Sequence, residues 1–405
     1  MDNFVIIGGG LAGAKAAEEL REQGFDGTIT IVGAEYHLPY ERPPLSKGYL
    51  MGTEPREKAF VHTAAWYADH DVDVLSGLRA VALDTAKHTV RLDDDRSLAW
   101  DRILLATGAQ PRRVSVPGSE AEGIRYLRDL EDSEALHKEL AGGGRRVVSV
   151  GAGWIGLEVT AAARELGNEV TVIGRETIPL EGPLGPELGG VFRRLHEQHG
   201  VDFRLPADLV SFEAAEGRVT GVVTDAGTIP ADLVVVGIGA IPDTALAQAA
   251  GLEVDNGILV DASLAASAPD VFAAGDVANA QHPVLGSRMR NEHWQTAIST
   301  GRAAARAMLG QQVSFDEIPY FYTDQYDLGM EYSGYGPLTR GAEVVYRGDV
   351  ESREFLAFWV QDGLVVAGMN VNIWDVNDQV QRLIRDRVPV DRARLADPGV
   401  PLEQL

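Results

Sequence analysis

Two glycine clusters carry the first chemical information in this 405-residue chain. One reads Gly8-Gly9-Gly10-Leu11-Ala12-Gly13 and the other Gly151-Ala152-Gly153-Trp154-Ile155-Gly156. Each follows an apolar run, Phe4-Val5-Ile6-Ile7 or Val147-Val148-Ser149-Val150, and opens a helical pattern. In the pattern G-x-G-x-x-G the first glycine makes a strand-to-helix turn, the second lets backbone N–H groups approach a pyrophosphate, and the third lets the helix pack on its strand. The phosphates then meet a helix N-terminus, whose unpaired donors and dipole favour anions. One such turn is often only a tight βα connection. Two, each with Val/Ile-rich strands before and after, imply two dinucleotide sites in one polypeptide.

The elements that position these turns are legible around them. Residues 3–8 read as a strand, 10–23 as a helix and 28–32 as the next strand, a βαβ unit ending in Gly33-Ala34-Glu35. Glu35 stands where an acid would accept from an adenosine ribose hydroxyl, or is a solvated loop acid. The stretch Pro39–Lys47 is a proline-stiffened loop carrying Arg42 and Lys47, unsuited to a strand or helix interior and suited to anion contact. Ile103–Gly108 is a buried-strand pattern running into the glycine turn of Thr107-Gly108. The second unit runs from Arg146–Val150 through a helix at 155–166 to Glu169–Ile173. A meander follows, with Val219–Thr224 and Leu233–Val236 flanking the turn-like Asp225-Ala226-Gly227, and it closes in Gly237-Ile238-Gly239. First-domain character returns at Asp270–Asp276, which an inserted second domain explains. From 315 the pattern turns to aromatic alternation, two strands around Phe355–Val360 and Leu364–Met369, and a closing helix with Val376, Val380, Leu383 and Ile384 on one face. The expected fold is α/β: two Rossmann-like dinucleotide-binding domains, at 1–110 with 239–314 and at 111–238, plus a small α+β domain at 315–405.

Composition narrows the chemistry. The chain has no cysteine, which removes disulfides, thiolate metal sites and dithiol catalysis, so any redox chemistry resides in a bound cofactor. A formal charge of −24 argues against nucleic acid and against an anionic membrane surface. No apolar run approaches a membrane span, and the first strand begins almost at the initiator Met, so a cytoplasmic protein is expected. The nine histidines show no metal-ligand spacing, and no metal is expected.

With these residues in hand the chain resembles a family over nearly its whole length: the FAD-dependent NAD(P)H:ferredoxin reductases of oxygenase and cytochrome P450 systems, on a glutathione reductase-type fold. The resemblance rests on the paired fingerprints, the Tyr40–Lys47 loop, the Ala106-Thr107-Gly108 turn, Gly275-Asp276, Glu292-His293-Trp294 and Pro319–Tyr326. It implies that Gly8, Gly10, Gly13 and Glu35 bind FAD, together with Thr107, Gly108 and Gly275. It implies that Asp276 meets the ribitol or pyrophosphate end, and that Arg42 and Lys47 lie beside the flavin. Gly151, Gly153, Ile155, Gly156 and Gly239 are assigned by the same likeness to NAD(P). Glu158 matches a glutamate paired with the loop lysine next to the reacting ring, where Lys47 would stabilise the reduced, anionic flavin and Glu158 would place and balance it. Taken alone, Glu158 could equally be an acid serving the helix dipole. Trp294 matches an aromatic near the flavin and nicotinamide, where a single Trp is otherwise core packing.

Two positions depart from the family pattern. The second-domain strand is followed by Gly174-Arg175-Glu176-Thr177 in place of an immediate acid, so Arg175 could meet a 2′-phosphate while Glu176 could take a ribose diol. NADH is the favoured coenzyme on the family pattern, with NADPH open. Tyr322 stands where many relatives have Trp. The expected function is a reductase passing electrons from NAD(P)H through FAD to a ferredoxin-type iron–sulfur protein, as monomer or homodimer. The rivals are rubredoxin, quinone or monodehydroascorbate reduction on the same scaffold, and an NAD(P)H-sensing flavoprotein. Ferredoxins of these systems are commonly acidic, so a chain at −24 needs a local basic face. Arg288, Arg290, Arg382, Arg385, Arg387, Arg392 and Arg394 are the candidates, unless they are helix-end cations.

Overall fold

The polypeptide, seen in a computed structural model that describes residues 2–405, separates into two compact units. The first comprises the chain up to Glu41, Arg56–Gln110 and Ile241–Phe321; the second comprises Arg42–Pro55, Pro111–Ala240 and Tyr322–Leu405. The stiff loop that follows the first nucleotide fold thus packs within the second unit. Its apolar residues explain why: Leu50 is wholly buried in a cluster with Leu136, Val147, Val159 and Val235. Ser133 Oγ donates to the Leu45 carbonyl at 2.9 Å, tying the loop to the helix Leu130–Leu140.

The first unit is built on a five-stranded parallel sheet in the order Val72–Ser76, Thr28–Gly33, Asn3–Ile7, Arg102–Leu105, Val271–Ala273. Continuous apolar runs such as Phe4-Val5-Ile6-Ile7 belong in the middle of such a sheet, because both faces are covered. The helix Leu11–Glu22 follows the central strand and buries Ala12, Ala14, Ala16 and Ala17. Those small side chains permit close packing against the helix Trp294–Met308: a Cβ on Gly301 would lie 2.4 Å from the Ala12 carbonyl oxygen. A small antiparallel sheet of Ala80–Asp84, Thr89–Leu92 and Ser97–Ala99, not expected from the sequence, completes this unit's Arg56–Gln110 segment.

The second unit repeats the plan. Its parallel sheet runs Asp202–Arg204, Glu169–Ile173, Arg146–Val150, Leu233–Val236, Ile124–Arg125, with the helix Trp154–Glu165 after the central strand. The expected meander is different in detail. Arg218–Thr224 turns back into Gly227–Pro230 and also pairs Leu209–Ala215, whereas Leu233–Val236 joins the parallel sheet beside Arg146–Val150. All four residues of Leu233-Val234-Val235-Val236 are buried, which a two-sided interior strand allows and an exposed hairpin arm does not. The C-terminal region forms a five-stranded antiparallel sheet covered by the helix Asn377–Asp386. Val380, Leu383 and Ile384 are buried there as expected, while Val376 sits one residue ahead of the helix. Gly368 admits that helix, since a Cβ would meet Val380 Cγ1 at 2.4 Å.

Candidate functional site

In both fingerprints the three glycines answer to three different constraints. Gly8 has φ +129°, and a Cβ there would lie 1.9 Å from the Ala106 carbonyl oxygen. Gly151 has φ +112°, with the Gly237 carbonyl oxygen 2.3 Å from the same imagined atom. The third glycines, Gly13 and Gly156, would each press a Cβ to 2.3 Å from the carbonyl oxygen of their own first glycine. The protein's own backbone therefore explains the first and third positions. It does not explain the second: beyond the adjoining residues of the chain, no described protein atom lies within 4 Å of a Cβ built on Gly10 or Gly153.

That open space lies at the start of each helix. Gly10 and Gly153 are the N-caps, neither helix has a side-chain cap, and neither has an acid in its first turn. Helix N-termini that carry neither a side-chain cap nor an acid in their own first turn fit a pyrophosphate in both places. The residues present thus fit two bound dinucleotides.

Around the first fingerprint, Glu35 accepts a hydrogen bond from Tyr40 Oη, which fixes the acid at the end of the strand Thr28–Gly33. Gly108 and Gly275 take φ of +73° and +74°, making the tight turns that end two neighbouring strands of the same sheet. Thr107 Oγ1 donates to the Asp243 carbonyl at 2.6 Å, so its hydroxyl hydrogen is directed at the protein. Gly275 N–H donates to Thr300 Oγ1 at 2.9 Å, and the Asp276 carbonyl accepts from Arg290. Trp294 hydrogen-bonds to Glu41, whose carboxyl is pushed above its ordinary range by burial, with the tryptophan opposing the shift.

Around the second fingerprint, Ile155 is an exposed apolar side chain in the first turn of its helix, and Gly239 has φ +99° with open space where a Cβ would stand. Arg175 pairs with Asp208 at 2.9 Å while remaining 86% exposed, and the Glu176 carboxylate folds back to within 2.7 Å of where a Cβ on Gly174 would be.

Within this unit the sequence-expected pair is brought together. Lys47 Nζ lies 2.7 Å from Glu158 Oε2, with the lysine 16% and the glutamate 5% exposed. Ser46 Oγ also donates to Oε2, and Thr323 Oγ1 donates to Oε1 at 2.6 Å. Lys47 Nζ stands 5.7 Å from the centre of the Tyr322 ring, a cation–π distance. The Arg42 guanidinium donates to the Arg128 carbonyl. Nearby Asp324 is pushed up by burial; Lys47 opposes that shift, and Glu158 and Glu331 add to it.

Sequence reasoning missed Ser46, Thr323, Gln325 and His196, all buried. Their signal was faint: Thr323 and Gln325 are polar residues two apart on the same face of the strand Tyr320–Gln325, a pattern that reads as solvent-facing unless its neighbours are known. Five of the seven candidate docking arginines have contacts within the fold. Arg288 donates to the Val260 and Asn279 carbonyls, and Arg290 to Asp276 and Glu292. Arg382 and Arg394 hold the C-terminal carbonyls of Leu402, Leu405 and Gln404, and Arg392 pairs with Glu343. These five contact the fold's own backbone and acids, although Arg288, Arg392 and Arg394 are exposed; among the described residues Arg385 and Arg387 are exposed and make no such contact.

Residues 2–301 match the pyridine nucleotide-disulphide oxidoreductase model and residues 320–405 the reductase C-terminal model. The chain belongs to that oxidoreductase family, in the branch carrying the reductase C-terminal domain. It is 40% identical over 403 residues to the ferredoxin–NAD(+) reductase component of the anthranilate 1,2-dioxygenase system of Burkholderia cepacia, covering 99% of this chain and 98% of that one. Among solved structures it is similar to the covalent putidaredoxin reductase–putidaredoxin complex, with TM-score 0.95, 36% identity, and 100% and 97% of the two chains covered. It is equally similar to the ferredoxin reductase for the CYP199A2 system from Rhodopseudomonas palustris, with TM-score 0.95, 34% identity, and 100% and 99% covered. Among the described residues no helix is long and apolar enough to cross a membrane.

Proposed function

We propose that the chain is a cytoplasmic flavoprotein that takes electrons from NAD(P)H and passes them through FAD to a small iron–sulfur ferredoxin, which feeds an oxygenase or a cytochrome P450. The observation that carries this reading is the paired fingerprint geometry, in which the second glycine is unexplained by protein packing at both sites. Bound FAD supplies the conversion of a two-electron hydride donor into a one-electron source.

The chain's own part is binding and positioning. Gly8, Gly10, Gly13 and Glu35, with Thr107, Gly108, Gly275, Asp276 and Trp294, hold FAD; Gly151, Gly153, Ile155, Gly156 and Gly239 hold the nicotinamide nucleotide. Lys47 and Glu158 act at the flavin ring: the ammonium offers positive charge to a reduced, anionic ring, and the buried carboxylate keeps that ammonium in place. No side chain serves as a nucleophile. NADH is the preferred coenzyme in this reading, because Arg175 is already engaged with Asp208 and Glu176 beside it would repel a 2′-phosphate. Docking of an acidic ferredoxin uses Arg385 and Arg387, the exposed cluster members not engaged with a carbonyl or an acid among the described residues.

The test is reduction of a ferredoxin. Purified protein should be yellow, release noncovalent FAD on denaturation, and reduce both ferricyanide and ferredoxin with NADH. Charge reversal of Arg385 and Arg387 to Glu should lower kcat/KM for ferredoxin in a salt-dependent way and leave ferricyanide reduction unchanged. Release of FMN, or ferricyanide turnover with no ferredoxin reduction, would contradict the reading.

A further inference from the structure

Glu158 is the end of a longer buried series. Beyond Thr323, Gln325 Nε2 donates to Thr323 Oγ1 at 3.1 Å, and Gln325 Oε1 lies 2.7 Å from His196 Nε2. Relative exposures are 5% for Glu158, 1% for Thr323, 1% for Gln325 and 0% for His196, so bulk water does not compete for these bonds. On the far side of the imidazole, Tyr326 Oη stands 3.5 Å from His196 Nδ1, and the Tyr326 ring stacks on His199 with centroids 3.7 Å apart.

The directions in this series depend on one another. An amide oxygen only accepts, so its contact with His196 requires the proton on Nε2. The amide nitrogen then donates to Thr323, whose single hydroxyl proton is left for Glu158. Were the histidine proton on Nδ1 instead, bare Nε2 would need an amide N–H, and Gln325 would have to turn over. Thr323 would then give its proton to Gln325 Oε1, and Glu158 Oε1 would face an oxygen lone pair. A buried carboxylate oxygen without its donor is the costlier arrangement.

We infer that His196, Gln325 and Thr323 are positioning residues, forming a one-way hydrogen-bond chain that supplies a fixed donor to Glu158 and through it holds the Lys47 ammonium. The inference deepens the proposed function and rests on its placement of Lys47 and Glu158 at the flavin. Burial also keeps His196 neutral, pushing it down to about 4, with the Gln325 contact opposing and His199 adding to the shift. The proton on Nε2 gives the chain its direction, and the neutral ring leaves Nδ1 as an acceptor toward Tyr326.

Two measurements on the FAD-loaded enzyme test this. The first is the side-chain ¹⁵N spectrum of His196, expected to show the neutral Nε2–H tautomer unchanged from pH 6 to pH 9. An Nδ1–H tautomer would overturn the chain whatever the flavin does. The second is the flavin midpoint potential in a variant series. Thr323→Val should shift it in the direction of Glu158→Gln, by at least a threefold change in the reduced-to-oxidised ratio at fixed potential, because a carboxylate stripped of a donor is less readily held as an anion. Thr323→Ser should restore the wild-type value. Gln325→Leu should shift the potential in the wild type but add nothing in the Thr323→Val background, and His196→Gln, which keeps a donor near Nε2, should be nearly silent. Equal effects of Gln325→Leu in both backgrounds, or a shift with Glu158→Gln and none with Thr323→Val, would overturn the chain alone. No shift with Glu158→Gln would overturn the placement of Glu158 at the flavin, and with it this inference.

Discussion

The two nucleotide units share the order of four sheet strands and a fingerprint geometry, yet the ends of their second strands differ. In the first, Glu35 is pinned by a tyrosine hydroxyl; in the second, Arg175 and Glu176 lie at the surface, and the arginine is tied to an exposed aspartate. Backbone constraint made the glycines alike, because each first and third glycine is squeezed by a neighbouring carbonyl. The strand-end side chains are free of that constraint and are where one site can be specialised from the other.

The largest expected effect follows from the squeezed glycines. Gly8→Ala would force a side chain at positive φ into the Ala106 carbonyl, costing about 3 kcal/mol or more, and the same holds for Gly151→Ala against Gly237. Thermal melts should show both variants strongly destabilised. A wild-type Tm in either would mean that the fingerprint backbone is looser than the structure shows.

Next in size is the Lys47–Glu158 pair. Lys47→Met leaves a carboxylate that is 5% exposed without its countercharge, and should cost about 3 kcal/mol of stability. Adding Glu158→Gln should recover part of that loss, and the double variant should slow flavin reduction by less than the sum of the single effects. Strict additivity in a double-mutant cycle would separate the two residues.

Acid sensitivity should be comparable for two histidines. His196 and His293 are both pushed by burial from 6.5 to about 4, so the native state binds fewer protons than the unfolded chain across that window. The associated stability is complete above about pH 6.5 and is lost as pH falls toward 4, by about 3 kcal/mol per histidine. Urea midpoints at pH 7 and pH 5 should therefore differ less in His196→Gln than in the wild type. Equal differences would show that this ring titrates alike in the folded and unfolded chain, so that burial does not lower it.

How much of this was readable in advance varies by residue. The fingerprints and their strands were legible because glycine spacing and apolar runs are local signals with few physical solutions, whereas the Lys47–Glu158 pair, 111 positions apart, was implied only by the family resemblance. The course of Leu233–Val236 was not, since four consecutive apolar residues beside a turn fit either a hairpin arm or an interior parallel strand, and only the partner strand decides. The arginine cluster was ambiguous for a related reason. Five positive charges near the surface read as a docking face until the carbonyls and acids that occupy them are known. His196 left no trace because a histidine on a helix looks the same in sequence whether or not a buried amide waits across from it.

The smallest expected effect concerns coenzyme choice. Arg175→Ala should change kcat/KM for NADH less than threefold, because the guanidinium is 86% exposed and bound to Asp208. A selective loss of NADPH activity would instead place that arginine on a 2′-phosphate.

The most direct test compares the two second glycines, which no protein contact explains. Gly10→Ala and Gly153→Ala should both melt within about 1 kcal/mol of wild type as apoproteins, since each Cβ meets open space. In holoprotein the first should lose FAD, whereas the second should stay yellow and show a raised KM for NADH. If both variants lose flavin, or both keep it and bleach normally with NADH, the assignment of one fingerprint to FAD and the other to the nicotinamide nucleotide is contradicted.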